Sequence, residues 1–137
     1  MKVPEKKALP RTDRVRRRSA FRRIQSEGRR VHTQHFILIQ RASDAGRRRL
    51  GITVTKKIGN AVARNRVKRV VREAFRLHRE LFTPAVDIVF IAKRGAPKLG
   101  LVDVVEQLHK AQKSIARAGK QALKRNDRLR EGEVDAR

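Results

Sequence analysis

The sequence has no cysteine, no tryptophan and no tyrosine, and each absence closes off a class of protein. Without cysteine there is no disulfide and no cysteine-ligated zinc, so stability has to come from packing alone. With only five phenylalanines as aromatic side chains, a basic amphipathic helix would lack the anchors of a membrane-surface protein. No apolar run approaches the length of a transmembrane span, and residues 1–10 carry charges where a signal peptide needs an apolar core; no membrane association is expected, and the expected location is cytoplasmic. His32 and His35 fall on opposite parities of a predicted strand with no third ligand in reach, so they read as structural or surface histidines. Acidic side chains are few and scattered, which does not suggest a set to hold magnesium or divide acid and base roles.

What the sequence has in excess is positive charge. Lysine and arginine number 37 against 13 acidic residues, a net charge of +24. A body that repels itself this strongly is expected to meet a polyanion, and nucleic acid is the expected partner. Hydrophobic residues make up 39% of the chain and fall in periodic blocks, which a disordered basic tail would lack. A length of 137 residues suits one domain with one modest core.

Residues 1–13 read as a flexible basic arm, and residues 14–18 as a basic lead-in. A short helix is predicted from Ser19 as N-cap to Gly28, with Phe21 and Ile24 on one face. Residues 31–41 alternate as a strand with a break near Thr33, and Asp44, Ala45 and Gly46 make a turn into a second strand over residues 50–55, predicted as a hairpin. Gly59 and Asn60 end that strand and offer a cap to a helix over residues 61–81, whose stripe includes Ala63, Val67, Val70, Ala74, Leu77 and Leu81. Residues 87–92 form a nearly continuous apolar run after Asp87, predicted as a central strand covered on both sides. A last packing helix is predicted over residues 101–118, leaving residues 119–137 as a frayed helix or charged tail. The order describes a single α+β domain over residues 14–118, with helices packed on one mixed sheet as a two-layer sandwich.

The functional signal lies in residues 56–76. At about 100° per residue, Asn65, Lys68, Arg69, Arg72, Arg76 and Arg79 share the arc opposite the apolar stripe, with Arg64 and Arg66 flanking it. A solvated helix face would carry acidic partners at four-residue spacing, but only Glu73 and Glu80 are acidic here. Like charges at that spacing repel unless a polyanion neutralises them. Arginine's planar fork binds phosphate oxygens in pairs and stacks on bases, and Asn65 adds a donor and an acceptor, a set suited to folded RNA. Composition alone leaves open a structural RNA binder of ribosomal type or a DNA-compacting protein.

The block Lys56-Lys57-x-Gly59-x-Ala61-x-x-Arg64-Asn65-Arg66-x-Lys68-Arg69-x-x-Arg72 resembles the hallmark of the bacterial ribonuclease P protein subunit. The likeness extends through Arg14, Phe21, Gly28, Phe36, Gly51, Ile52 and the strand at Asp87, covering residues 14–118 or so. The resemblance implies an α-β-β-β-α-β-α domain with a left-handed β-α-β crossover, the fold of the second domain of a small-subunit ribosomal protein. It implies a large catalytic RNA as partner, with which the protein removes the 5′ leader of precursor tRNA. The RNA would hold the required magnesium ions and perform the cut; no obligate protein partner follows.

On the same likeness, Arg64, Asn65, Arg66, Lys68, Arg69 and Arg72 would contact the catalytic RNA. A cleft between the first helix and the sheet, with Phe21, Ile37, Ile39, Lys56 and Lys57, would take the leader. Gln25 and Ile39 stand where many members have aromatics. Residue by residue, Phe21 reads as core more readily than as a base platform, while Phe75, Phe82 and Phe90 read as core.

Overall fold

The computed structural model describes the backbone of residues 9–135 and the side chains as far as Leu129. Most of the basic arm, residues 1–8, and residues 136–137 of the tail lie outside the described residues. The elements run α1 (Arg18–Glu27), β1 (Arg29–His32), β2 (Phe36–Ala42), β3 (Arg49–Thr53), α2 (Ala61–Leu77), β4 (Val86–Ala92), α3 (Leu101–Lys110) and α4 (Gln112–Asp135). The expected α+β domain with a mixed sheet is what the chain forms. The sheet order is β1-β2-β4-β3, with β3 parallel to β4 and the other neighbours antiparallel.

Strand β4 is the most apolar run in the chain, and it takes the central place that lets both faces be covered. Its even-numbered side chains, Val86, Ile88 and Phe90, enter the main core with Leu38, Val67, Val71, Phe75, Val104 and Leu108. Val89 faces the other way and joins Val15, Ile24 and Ile39 in a second, smaller core under α1. Helices α2, α3 and α4 thus cover one face of the sheet, and α1 forms a partial layer of its own on the other.

Several sequence expectations are corrected. No β2–β3 hairpin forms: the turn at residues 43–46 is present, with Gly46 donating to the Ser43 carbonyl, but β4 inserts between the two strands. Helix α1 begins at Arg18 with Arg17 as a cap that makes no side-chain bond, so Ser19 lies inside the first turn. Helix α2 ends at Leu77, where the side chain is already 46% exposed. A 3-10 turn, Arg79–Leu81, then carries Phe82 into the core against Phe75 at 5.4 Å between centroids. The periodic signal overran because Leu77 and Leu81 continue the spacing after the chain has turned away.

The predicted helix over residues 101–118 is two helices. The break at Ala111 redirects the chain so that Val104 and Leu108 remain in the core with α2, while Ile115 and Ala118 lie over β1 and β2. Helix α4 then continues past residue 119, and Ala122 is only 6% exposed. At the other end Leu9 is buried in the main core and Arg14 bridges to Leu50 beside β3. Residues 9–13 therefore belong to the folded body and not to a free arm.

Candidate nucleic-acid interface

Helix α2 is fixed at its start by Asn60, whose Oδ1 accepts from the Ala63 N–H at 2.9 Å, the capping expected of that residue. Val67, Val71, Ala74 and Phe75 bury one stripe, which turns the block from Arg64 to Arg72 outward. Asn65, Arg66 and Arg69 are exposed; Arg64, Lys68 and Arg72 are half-buried at the edges of the stripe. The structure therefore gathers all six on one helix.

The two ends of the expected basic arc differ from its middle. Arg76 binds both carboxylate oxygens of Glu73. Arg79 lies 3.1 Å from Asp13 and over the ring of Phe75, with its guanidinium carbon 5.8 Å from the centroid. Arg76 and Arg79 are thus paired within the fold, Arg79 with an Asp13 that also lies 3.7 Å from Arg47, and the charge without a carboxylate beside it is concentrated at Arg64 to Arg72. Partial burial pushes Arg72 below the ordinary arginine value, and the charge of Arg14 adds to the effect. Arg14 arrives beside β3 from the N-terminal segment, a proximity no local spacing in the sequence signals.

On the opposite sheet face a cleft of about 490 Å³ opens at the start of α1, with Arg14, Arg16, Arg17, Arg23, Arg41 and Arg49 among its lining. Asp87, 2% exposed, sits at its base and takes both bonds of a fork from Arg49 at 2.8 Å. Arg41 donates to Glu27 at 2.8 Å, tying α1 to β2. That bond, with the surrounding guanidinium charges, holds the Glu27 carboxyl below its usual range even against the desolvation that opposes it.

The residues expected to take a leader are only partly brought together. Phe21 and Ile37 are half-buried partners of the small core on the α1 side. The Phe21 ring lies so close over Gly51 that a Cβ there would come within 2.6 Å of it. Gln25, at a family aromatic position, donates to Thr53 at 3.2 Å and closes part of this surface. Ile39 is fully enclosed, 0% exposed, and so has no surface to offer a ligand; it belongs to the core, a correction to its placement in the cleft. Lys56 and Lys57 are exposed in the turn between β3 and α2.

Among the described residues no group of three His, Cys, Asp or Glu side chains could hold a metal ion. His35 shares its ring nitrogen with Gln107 at 2.8 Å, and His32 is exposed. The guanidinium and ammonium groups of both basic surfaces repel a divalent cation, so these residues do not fit a protein-held magnesium site. No helix among the described residues is long and apolar enough to cross a membrane.

Comparison with known proteins places this geometry. The family model for ribonuclease P matches residues 9–116. The chain is 43% identical over 104 residues to the ribonuclease P protein component of Syntrophus aciditrophicus, covering 76% of this chain and 87% of that one. It is 47% identical over 95 residues to the same component from Desulfovibrio desulfuricans, covering 68% and 73%. Among solved structures, the ribonuclease P protein of Thermotoga maritima superposes with a TM-score of 0.66 at 33% identity, covering 74% of this chain and 96% of that one. The Staphylococcus aureus protein gives 0.65 at 33% identity, covering 74% and 93%. The chain belongs to the ribonuclease P protein family, the RNA-binding components of the endoribonuclease ribonucleoprotein of tRNA processing.

Proposed function

We propose that the α2 face, Arg64, Asn65, Arg66, Lys68, Arg69 and Arg72, grips the catalytic RNA of ribonuclease P, and that the α1 side of the sheet receives the 5′ leader of precursor tRNA. The observation that carries the reading is the division of charge along α2. Its far end is neutralised by Glu73 and Asp13, while Arg64 to Arg72 face outward or toward another guanidinium. A face of this kind is stabilised by phosphate.

On the α1 side, Phe21 and Ile37 are partly accessible apolar groups on which a base would rest, and the exposed Lys56 and Lys57 in the turn after β3 would meet its phosphates. Arg14, Arg16 and Arg17 extend the positive surface. Among the described residues the two surfaces offer binding and charge and no cluster that could cage a metal ion, which supports the reading that hydrolysis falls to the RNA with its magnesium ions. The protein acts in the cytoplasm with the two RNAs as partners and needs no further protein.

The test is reconstitution. The purified chain, added to the matching catalytic RNA at low magnesium, is expected to restore leader removal from precursor tRNA. No stimulation over the RNA alone would refute the assignment.

A further inference from the structure

Helix α4 carries a cationic stripe that the contact made by α2 does not use. Lys113, Arg117, Lys120, Lys124 and Arg128 recur at intervals of three and four residues. At about 100° per residue they fall within an arc of about 80°. All five are exposed. The arc is centred opposite Ile115, Ala118 and Ala122, which are buried against the sheet, so the stripe points straight away from the body. A stripe meant only for solvent would carry carboxylates at the same spacing. Between residues 112 and 129 the one acid is Asp127. Neighbouring cations that do find partners lie off the stripe: Lys110 of α3 sits 3.4 Å from Glu106, and Arg125 donates to the Glu27 carbonyl at 2.8 Å.

A second observation adjoins it. Between β1 and the first turns of α4 runs a groove of about 290 Å³, floored by Val31 and Ala118 and walled by Arg30, His32, Ser114, Arg117 and Gln121. Arg117 belongs to both features. The groove thus adds concavity, hydroxyl and amide donors, and one further guanidinium to the line of charge.

We infer that the α4–β1 edge is a second RNA-binding surface, which takes the sugar-phosphate backbone of an RNA segment distinct from the one held by α2. The inference rests on the reading that the partner is a large folded RNA. Strands β1 and β3 are the two outer strands of the sheet, about 14 Å apart across three strand spacings. Helix α4 packs on β1 and β2, whereas α2 packs near β3. The two stripes therefore lie toward opposite edges of one helical layer, with α3 packed against both α2 and α4, and a large folded RNA reaches them with two of its segments. A membrane surface fits less well, because an interfacial helix needs its apolar face free, and that of α4 is already placed on the sheet.

The test uses the full chain and its matching catalytic RNA, transcribed in vitro, with affinity measured across potassium chloride concentrations. One variant carries Lys113→Gln, Arg117→Gln, Lys120→Gln, Lys124→Gln and Arg128→Gln together; a control carries Arg66→Gln and Arg69→Gln on α2. Thermal melting confirms that each is folded. The stripe variant is expected to make the log-log salt slope shallower by about two units or more, at about 0.7 to 0.9 per lost phosphate contact. A slope within about 0.5 of the parent's overturns the second surface, while the control's shallower slope would still uphold α2. Should neither variant change the slope, the RNA-binding reading itself falls. A strand-cleaving iron chelate attached at Lys120→Cys is expected to cut the RNA at positions separate from those cut from Asn65→Cys; coincident cuts overturn the two-segment clamp. Loss of binding to phosphatidylserine vesicles with RNA affinity intact would also overturn it, in favour of a membrane contact.

Discussion

The division of charge along α2 makes a sharp prediction, because it separates arginines that look equivalent in sequence. Arg64, Arg66, Lys68, Arg69 and Arg72 are the cations left for phosphate, and at about 0.7 to 0.9 per contact they contribute about −3.5 to −4.5 to the log-log slope of affinity against salt. Over a fourfold rise in salt that share alone weakens binding by about 100- to 500-fold. Replacing Arg66 and Arg69, both exposed, by Gln is expected to make the slope shallower by about 1.4 to 1.8. Replacing Arg76 and Arg79 by Gln removes the same formal charge, yet those side chains are held by Glu73 and Asp13. That variant is expected to move the slope by less than about 0.5. The assay is titration of the catalytic RNA at several potassium chloride concentrations. Circular dichroism checks the second variant, since Arg79 also covers the Phe75 ring. Equal changes in slope for the two variants would refute the idea that internal pairing withholds the far end of the helix from RNA.

Three further outcomes are expected. Phe21→Ala should leave assembly with the catalytic RNA intact and weaken precursor tRNA, not mature tRNA, by about 1 to 3 kcal/mol if a base stacks there; equal weakening of both tRNAs, or unfolding, would return Phe21 to the core alone. Arg49→Ala should cost about 3 kcal/mol in urea unfolding, because it strands the Asp87 carboxylate away from solvent; the double variant with Asp87→Ala should recover part of the loss, and a loss under about 1 kcal/mol would show that water reaches Asp87. For Glu27, the hydrogen bond from Arg41 lowers the folded pKa, so its contribution is present above the ordinary carboxylate range and disappears as pH falls through the lowered value. Solvent screening keeps that contribution below about 1 kcal/mol; Glu27→Gln should therefore be less stable than the parent at about pH 7 and equal to it at about pH 2, and a gap that persists in acid would refute the ionic origin.

Elements with strong local periodicity were legible in the sequence, and those decided by distant contacts were not. Helix α2 announces itself by an apolar stripe of helical period, and strand β4 by a nearly continuous apolar run. The break between β1 and β2 was readable too, near Thr33. The order of strands was not: the turn after β2 looks like a hairpin turn, and only the almost wholly apolar character of β4, broken by Asp87 alone, explains why it displaces β3. The continuation of α4 was hidden for a different reason. Its buried stripe is made of Ala118, Gly119 and Ala122, which carry little hydrophobic signal, because the helix lies too close for larger side chains. A Cβ at Gly119 would run into Thr83.

For the interface, the sequence shows how many charges there are, and the fold shows which of them are cancelled. The ion-paired acids cluster in a few places: Asp13 and Glu73 at the far end of α2, Glu27 and Asp44 around α1, and Asp87 under the cleft. Each secures an arginine that holds one element to another or closes a helix end. These five acids are thereby engaged within the fold, and the middle of α2 keeps its excess charge. The like-charge repulsion along Arg64 to Arg72 is a cost the free protein carries, and a phosphate backbone removes it. Binding should for that reason raise the stability of the protein as well as assemble the complex, through the same side chains.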